Sequence, residues 1–167
     1  AGTMCGRYAT PLTEASLNAE FEIDRVNSFV EPEPNYNQAP TDPAPIVIQR
    51  RAKDDVPEHR QLMKARWGLI PSWAKDPAIG NRMINARAET VAEKPSFKKA
   101  LATRRALVPA TGYCDWNLRQ DTPTRGSGNR QVYVKPTDHP GVTIAGLAET
   151  GRYHTTQDWV TDLRMAP

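Results

Sequence analysis

Fifteen prolines are spread along the 167 residues of this chain, which is close to twice the usual share of proline. Proline has a fixed φ and no backbone N–H, so it interrupts helices and the interiors of sheets. We therefore expect few long regular elements. The length suffices for one domain with its own core. The sequence contains no apolar run of the roughly 18 residues that a membrane span requires, and no signal peptide is visible.

Short apolar stretches between the prolines predict strands more often than helices. Met63, Ala65 and Trp67 alternate with polar residues, a pattern typical of a half-buried strand. A helix is predicted from Thr10 to about Phe21, and a second from Pro95 to Thr103. The predicted strands are 6–9, 46–48, 63–67, 106–109, 131–135 and 142–147.

The spacing of these elements predicts how they connect. The strands at 131–135 and 142–147 are expected to pair across the turn between them. Residues 35–40 and 51–58 are predicted to be loops, 118–130 a flexible basic loop, and no element is predicted beyond residue 147. Most strands lie too close together for parallel crossovers, so the fold class is α+β, a β-rich antiparallel single domain.

The stretch Met4-Cys5-Gly6-Arg7-Tyr8 carries unusual chemistry if it begins the mature chain. Residues 1–3 are interpreted as an expression remnant in front of the initiator Met4. Removal of Met4 would give Cys5 a free α-amine beside its thiol, with reference pKa values of about 8 and about 8.5. The amine condenses with an aldehyde to an imine, and the thiol then closes a thiazolidine ring. The alternative is that Cys5 is simply a small buried residue.

The charge composition favours a phosphate-bearing partner. Lysine and arginine number 22 against 19 acidic residues, for a net charge of +3. Fifteen of the 22 are arginine, whose planar guanidinium matches phosphate better than an ammonium does. A solvated basic surface is the alternative. The two cysteines indicate reduced thiols in the cytosol. The cysteines and histidines have no zinc-site spacing, so no metal or other cofactor is expected.

Four segments, in this order, resemble one known family. They are Met4–Tyr8, Asn35–Pro40, Trp67–Pro71 together with Ile84–Thr90, and Arg104–Trp116. The chain closely resembles the SRAP (SOS response-associated peptidase) domain family from Met4 to about Leu147. The resemblance implies curved antiparallel sheets in a barrel-like core with flanking helices. It also implies recognition of abasic sites in single-stranded DNA, trapped on the N-terminal cysteine as a thiazolidine.

The resemblance assigns roles to individual residues. Cys5 matches the crosslinking cysteine, Asn85 an asparagine that positions the sugar, and Asp115 the place of a glutamate that moves protons. Arg7 and Arg87 resemble arginines that hold DNA phosphates. Asn37, Trp67 and Trp73 are also assigned to DNA contact, the tryptophans as a stacking surface for an unpaired base. For the loop with both tryptophans, core packing is the alternative.

Two departures from the family pattern affect these assignments. Asp115 is one methylene shorter than glutamate, so its carboxylate falls about 1 Å short, which costs about a hundredfold in rate if uncorrected. The family's late histidine, followed by an acidic residue and Arg-Met-Pro, is absent from 163–167. We therefore expect a domain over 5–167 whose C-terminal part is shortened or altered. His59, His139 and His154 are interpreted as surface histidines, and none is assigned to catalysis.

Three functions remain open at the level of sequence. The first is an abasic-site crosslinking protein, with possible strand-cleaving activity, acting as a monomer in the cytoplasm (or at the nucleoid in a bacterium), without membrane attachment. The second is an N-terminal-nucleophile peptidase that cleaves its own leader. The third is a single-stranded DNA-binding module without chemistry. An aldehyde-dependent adduct, a cleaved peptide bond and salt-sensitive binding without adduct distinguish them.

Overall fold

The computed structural model describes residues 6–26, 33–117, 130–155 and 158–166, and for 116, 117, 130, 150–155 and 158–166 it describes the backbone alone. Ten strands, two α-helices and one 3-10 helix alternate along this part of the chain. In order they are β1 Arg7–Thr10, α1 Glu14–Phe21, β2 Arg25–Val26, β3 Asn35–Gln38, β4 Pro43–Arg50, β5 His59–Trp67, the 3-10 helix Pro77–Asn81, α2 Pro95–Thr103, β6 Arg105–Ala110, β7 Gly112–Asn117, β8 Arg130–Val134, β9 Val142–Thr155 and β10 Asp158–Ala166.

The strands form two sheets. The smaller sheet has the order β3-β1-β7-β8, and the larger has the order β10-β9-β6-β4-β5-β2. Neighbouring strands are antiparallel except where β5 pairs with β2 and, over two residue pairs, with β10. The predicted α+β class and the β-rich domain are confirmed. The larger sheet curves far enough that β10, at one end of its strand order, also pairs with β5 near the other end, but the two sheets are not closed into one barrel.

The main core contains buried residues of both sheets. Tyr8 from β1 belongs to the same apolar cluster as Ile46, Met63 and Val108 from the larger sheet. Both helices are associated with the larger sheet's remaining apolar side chains. Leu17 and Phe21 of α1 cluster with Val47 and Leu62, and α2 contributes Phe97 and Ala100 to a third cluster. Alternate residues of β4 and β5 therefore serve different clusters, which explains why residues 44–48 are all buried.

Local signals explain where the helices begin. Thr13 caps α1: its Oγ1 accepts from the Ser16 N–H at 3.3 Å, and the Ser16 hydroxyl accepts from the Thr13 N–H at 2.9 Å. The predicted start near Thr10 was therefore about one turn too early. Pro95 opens α2 at the first helical position, as predicted. The two α-helices of the described chain have 8 and 9 residues, and no helix there is long and apolar enough to cross a membrane.

Three sequence predictions about strands are wrong. The strand at 131–135 does not pair with the one that follows it: β8 pairs with β7, whereas β9 pairs with β6 and β10 in the other sheet. Residues 35–38, predicted as loop, form β3 beside β1. Residues 158–166, for which no element was predicted, form β10. The predicted basic loop at 118–130 lies outside the described residues except for its last residue.

Candidate nucleic-acid interface

The candidate site begins at the pairing of β1 with β7. Arg7 lies opposite Cys114, and Tyr8 lies opposite Tyr113. Continuing this antiparallel register by one residue sets Gly6 across from Asp115. Because cross-strand partners share a face and successive residues alternate, Asp115 lies on the Tyr8 face of the sheet. Arg7 lies on the opposite face together with Cys114.

Trp67 connects this strand pair to the loop that carries Asn85. The indole ring packs edge-on against Tyr8, with the ring centroids 5.2 Å apart. Its Nε1–H donates to the carbonyl oxygen of Ile84 at 2.7 Å. Tyr8 and Trp67 are each 1% exposed, so this contact is inside the core. A partly buried hydrogen bond therefore fixes the backbone one residue before Asn85, on the side of the core that β1 covers.

Two glycines permit the close approach that holds the same loop. Gly68 has a φ of +131°, and a Cβ there would lie less than 3.0 Å from the Gly80 carbonyl oxygen. A Cβ on Gly80 would meet Ile70 Cγ1 at 2.7 Å. The Arg66 guanidinium lies against both glycines and donates to the Asn81 side-chain oxygen. The chain after β5 is thus packed directly onto the 3-10 helix that precedes Ile84.

The loop itself alternates anchored apolar residues with polar ones. Ile84 packs against the main core, and Ala86 packs against the cluster that includes Phe97 of α2. Asn85 between them is partly buried, and Arg87 is exposed. The Arg87 carbonyl oxygen accepts from the N–H groups of Thr90 and Val91 at 3.1 and 2.9 Å, which closes the turn after it. The two polar side chains therefore project from a backbone fixed on both sides.

The two tryptophans assigned to DNA contact have different surroundings. Trp67 is buried at 1% exposure and offers no ring face to a base, so its assignment as a DNA-contacting residue is corrected: it belongs to the core. Trp73 is 59% exposed in the turn after Pro71. Tyr36 on β3 is 76% exposed, and its neighbour Asn37 is also exposed. An aromatic surface for stacking thus remains available without Trp67.

The structure brings some of the predicted site residues together. Arg7 and Asp115 lie on paired strands but on opposite faces of the sheet, and Asn85 is linked to these strands through Ile84, Trp67 and Tyr8. Asn37 belongs to β3, which pairs with the edge of β1 that does not face β7. Cys5 lies outside the described residues and directly precedes Gly6 in the chain. Among the described residues, no group of histidine, cysteine, aspartate and glutamate could hold a metal ion.

Sequence reasoning missed the residues that position the site. Tyr8 was included in the first motif but given no role, and Gly68 and Gly80 were not distinguished from other glycines. The signal available in the sequence was a glycine, Gly68, immediately after the large aromatic residue Trp67. Their contact depends on strands that are distant along the chain, so no local pattern could have predicted it.

Sequence comparison gives this site a family context. The sequence model of the SOS response associated peptidase (SRAP) family matches residues 4–163. Abasic site processing protein YoaM of Bacillus subtilis (strain 168) is 39% identical over 122 residues, covering 73% of this chain and 51% of that protein. Abasic site processing protein HMCES of Gallus gallus is 32% identical over 146 residues, covering 78% and 42%. The chain spans about half the length of the curated relatives it matches.

Comparison with solved structures supports the same fold. A protein from Bacteroides thetaiotaomicron superimposes with a TM-score of 0.71 at 22% identity, covering 97% of this chain and 66% of that one. A protein from Bordetella bronchiseptica gives a TM-score of 0.70 at 20% identity, covering 97% and 70%. With the family match over most of its length, the chain belongs to the SOS response-associated peptidase (SRAP) family.

Proposed function

We propose that this protein senses abasic sites in single-stranded DNA and captures them covalently through Cys5 at a free N terminus, forming a thiazolidine crosslink that shields the lesion. It would act as a monomer, in the cytoplasm and at the nucleoid if its source is bacterial. Curated relatives that share 39% and 32% identity with it are named abasic site processing proteins. Their names and the family match support the substrate class.

The pairing of β1 with β7 is the observation that carries the proposal. It sets the carboxyl-bearing Asp115 across from Gly6, the residue that follows Cys5. An abasic sugar is mostly a closed hemiacetal, and opening it requires proton transfer between two oxygens. A positioned carboxyl group does this work and contributes typically 10²–10⁴-fold in rate. We therefore assign Asp115 the proton transfers of ring opening and imine formation.

The proposed reaction releases one water. The α-amine nitrogen of Cys5 adds to the aldehyde carbon C1′, and the resulting carbinolamine loses water to give an imine. The Cys5 thiol sulfur then bonds to the same carbon, and the thiol proton passes to the nitrogen, which closes the five-membered ring. The imine has a second fate, in which loss of a 2′ proton breaks the bond between C3′ and the phosphate oxygen. Fast ring closure favours protection over this strand cleavage.

The other site residues would hold the strand rather than react. Asn85 both donates and accepts hydrogen bonds, which suits a sugar hydroxyl or a phosphate. Arg7 and Arg87 would neutralise phosphates, giving affinity without sequence readout. The exposed ring of Trp73 would stack on a base, and Asn37 would contact the strand beside it. These five residues and Asp115 lie on five separate segments of the chain, which suits a bound strand better than a small molecule.

Two further activities would use the same cysteine. Strand cleavage through the imine would make the protein a lyase when ring closure fails. Attack of the Cys5 thiol on the peptide bond in front of it would make it an autopeptidase that exposes its own amine. Non-covalent binding of single-stranded DNA is the outcome if neither reaction occurs.

Replacement of Cys5 tests the proposal. Protein beginning at Cys5 is incubated with a single-stranded oligonucleotide that contains one abasic site, then run on a denaturing gel with and without borohydride. We expect an adduct that survives without borohydride, because a thiazolidine is stable where an imine hydrolyses. Cys5→Ala should give only a reducible imine and more strand cleavage, whereas the matched control Cys114→Ala should react like the parent. An undiminished, borohydride-independent adduct from Cys5→Ala would contradict the mechanism.

A further inference from the structure

A basic cavity lies at the end of β4 that is remote from the candidate site. It has a volume of about 890 Å³ and is formed by the turn between β4 and β5, the end of α2 and the start of β6. Six exposed cationic side chains line it. They are Arg25, Arg50, Arg51, Lys53, Lys99 and Arg105. We call this cavity the basic groove.

The charge of the basic groove is not compensated within the described chain. Asp54 is the one carboxylate among its lining residues there. Arg104 also lines the groove, but the buried Glu149 pairs with it and balances its charge. None of the six groove cations is in an ion pair with another described residue. Six cations against one anion exceed the +3 of the whole chain, so positive charge is concentrated at this place.

The backbone around the groove is fixed by local structure. Arg50 pairs with His59 at the end of the β4–β5 hairpin, and Lys53 and Val56 exchange backbone hydrogen bonds of 2.9 and 3.0 Å across the turn. The Arg50 Nε–H donates to the Gln61 side-chain oxygen at 3.0 Å, which orients its guanidinium. On the opposite wall, the Arg104–Glu149 pair ties the end of α2 to β9. The cations are therefore presented from a rigid scaffold.

The groove is remote from the candidate site. Pro43, the first residue of β4, accepts a hydrogen bond from Gln38 of β3 and pairs with Arg66 next to Trp67. Arg50, the last of the eight residues of β4, lines the groove. Seven steps along a strand span roughly 23 Å. A ligand that reaches both places must be long.

The lining indicates what kind of ligand fits. Four of the six cations are arginines, whose guanidinium binds phosphate oxygens in pairs. Among the described residues that line the groove there is no Phe, Tyr or Trp, and the one aromatic ring is the imidazole of His59, whose Nδ1 lies 2.9 Å from the Pro57 carbonyl oxygen, so the groove offers bases little surface for stacking. The groove is thus suited to a sugar-phosphate backbone rather than to base recognition.

We propose that the basic groove is a second, sequence-independent contact for the DNA strand that extends from the lesion. This inference rests on the proposed function, since it takes the bound polymer to be DNA. At about 3.4 Å per nucleotide along one stacked strand, a separation of roughly 23 Å corresponds to about seven nucleotides. Short oligonucleotides should therefore occupy the candidate site alone, and longer ones should gain affinity from the groove.

The test combines oligonucleotide length with two double variants. Arg51→Ala/Lys99→Ala removes one cation from each wall of the groove. The matched control, Lys64→Ala/Lys98→Ala, removes two exposed lysines that do not line it, one of them next to Lys99 on α2. The single-stranded oligonucleotides carry one abasic site, or an unmodified nucleotide at the same position. The strand extends from that position by about 3 or about 12 nucleotides, on the 5′ side or on the 3′ side, and these two lengths bracket the estimated span. DNA affinity is measured as a function of salt concentration. Adduct yield is measured on a denaturing gel, and thermal melting shows whether each variant is folded.

The groove variant should bind the long strands on the order of tenfold more weakly at about 0.1 M salt, with the slope of log affinity against log salt reduced by about 1.4. The short strands should bind and crosslink as with the parent, and the control should lose less on the long strands. Equal losses on short and long strands, or equal losses in both variants, would overturn the proposal. Groove-dependent binding to anionic vesicles without any length effect on DNA would also overturn it. If no adduct forms but the length effect persists, the crosslinking function fails and the groove stands.

Discussion

Gly68→Ala should be strongly destabilising, because the structure leaves no room for a side chain at this position. With φ at +131°, the backbone is in a region that costs a non-glycine residue about 1–3 kcal/mol. The new methyl group would also lie less than 3.0 Å from the Gly80 carbonyl oxygen, and such overpacking costs typically about 1–3 kcal/mol. Reduced entropy of the unfolded chain returns about 0.4–1 kcal/mol. The net loss is therefore about 1–6 kcal/mol, a large fraction of the roughly 5–15 kcal/mol that stabilises a typical domain.

Chemical denaturation followed by tryptophan fluorescence measures this loss, and thermal melting should fall by about 2–4 °C for each kcal/mol. The matched control is Gly6→Ala, where a Cβ would meet nothing within 4 Å. This control should stay within about 0.5 kcal/mol of the parent. Equal stability of the Gly68 variant and the Gly6 variant would refute the close approach of β5 to the 3-10 helix, and with it the account of how the Asn85 loop is held.

Three other results should follow from the site. Trp67→Phe removes the donor to the partly buried Ile84 carbonyl oxygen and should cost about 1–3 kcal/mol in chemical denaturation, whereas Trp73→Phe in the exposed turn should be nearly neutral; equal losses would show that Trp67 does not hold the Asn85 loop. Asp115→Asn should slow adduct formation by about 10²–10⁴-fold with little change in DNA affinity. Asp115→Glu, which restores the residue type usual in the family, should react at least as fast as the parent. A parent-like rate for the asparagine variant would exclude the carboxyl group as proton shuttle. In matched titrations the protein should bind single-stranded DNA more tightly than duplex DNA, and its affinity should fall steeply with salt. Equal affinity for both forms would contradict a stacking contribution from Trp73.

Local sequence patterns predicted the elements whose partners lie close by or whose own residues carry the signal. The alternation at Met63, Ala65 and Trp67 predicted β5, and Pro95 marked the start of α2. The longest strand, β9 with 14 residues, lies in the proline-free stretch 141–166. The absence of proline therefore indicated long strands at the end of the chain, and β10 could have been predicted from it.

Partner choice between strands could not be predicted in the same way. Residues 131–135 and 142–147 are neighbours in sequence, but Tyr113 pairs with Val134 in one sheet and Leu107 with Ala145 in the other. The connection between them holds Pro136 and Pro140 and passes from sheet to sheet. Which strand pairs depends on which apolar faces meet in the core, and that is a property of the whole chain.

The candidate site shows the same division. The residue types at Asn85, Arg87 and Asp115 were singled out from motifs, but the pairing that sets Asp115 across from Gly6 joins segments more than 100 residues apart. Burial of Trp67 follows from its contact with Tyr8, again between distant strands. A tryptophan in an apolar loop fits both a core and a stacking surface, so the sequence alone could not predict whether Trp67 is buried or exposed.

Mass spectrometry of the DNA adduct shows whether Cys5 at a free N terminus captures the abasic site. Two forms of the protein are compared, one beginning at Cys5 and one retaining residues 1–4, each incubated with the same abasic single strand and left without borohydride. We expect an adduct of protein plus DNA minus one water from the first form, mapped to the peptide that begins with Cys5, and none from the second, whose Cys5 nitrogen is acylated. The same yield of adduct from the second form, or an adduct mapped to a lysine, would contradict capture by the N-terminal cysteine.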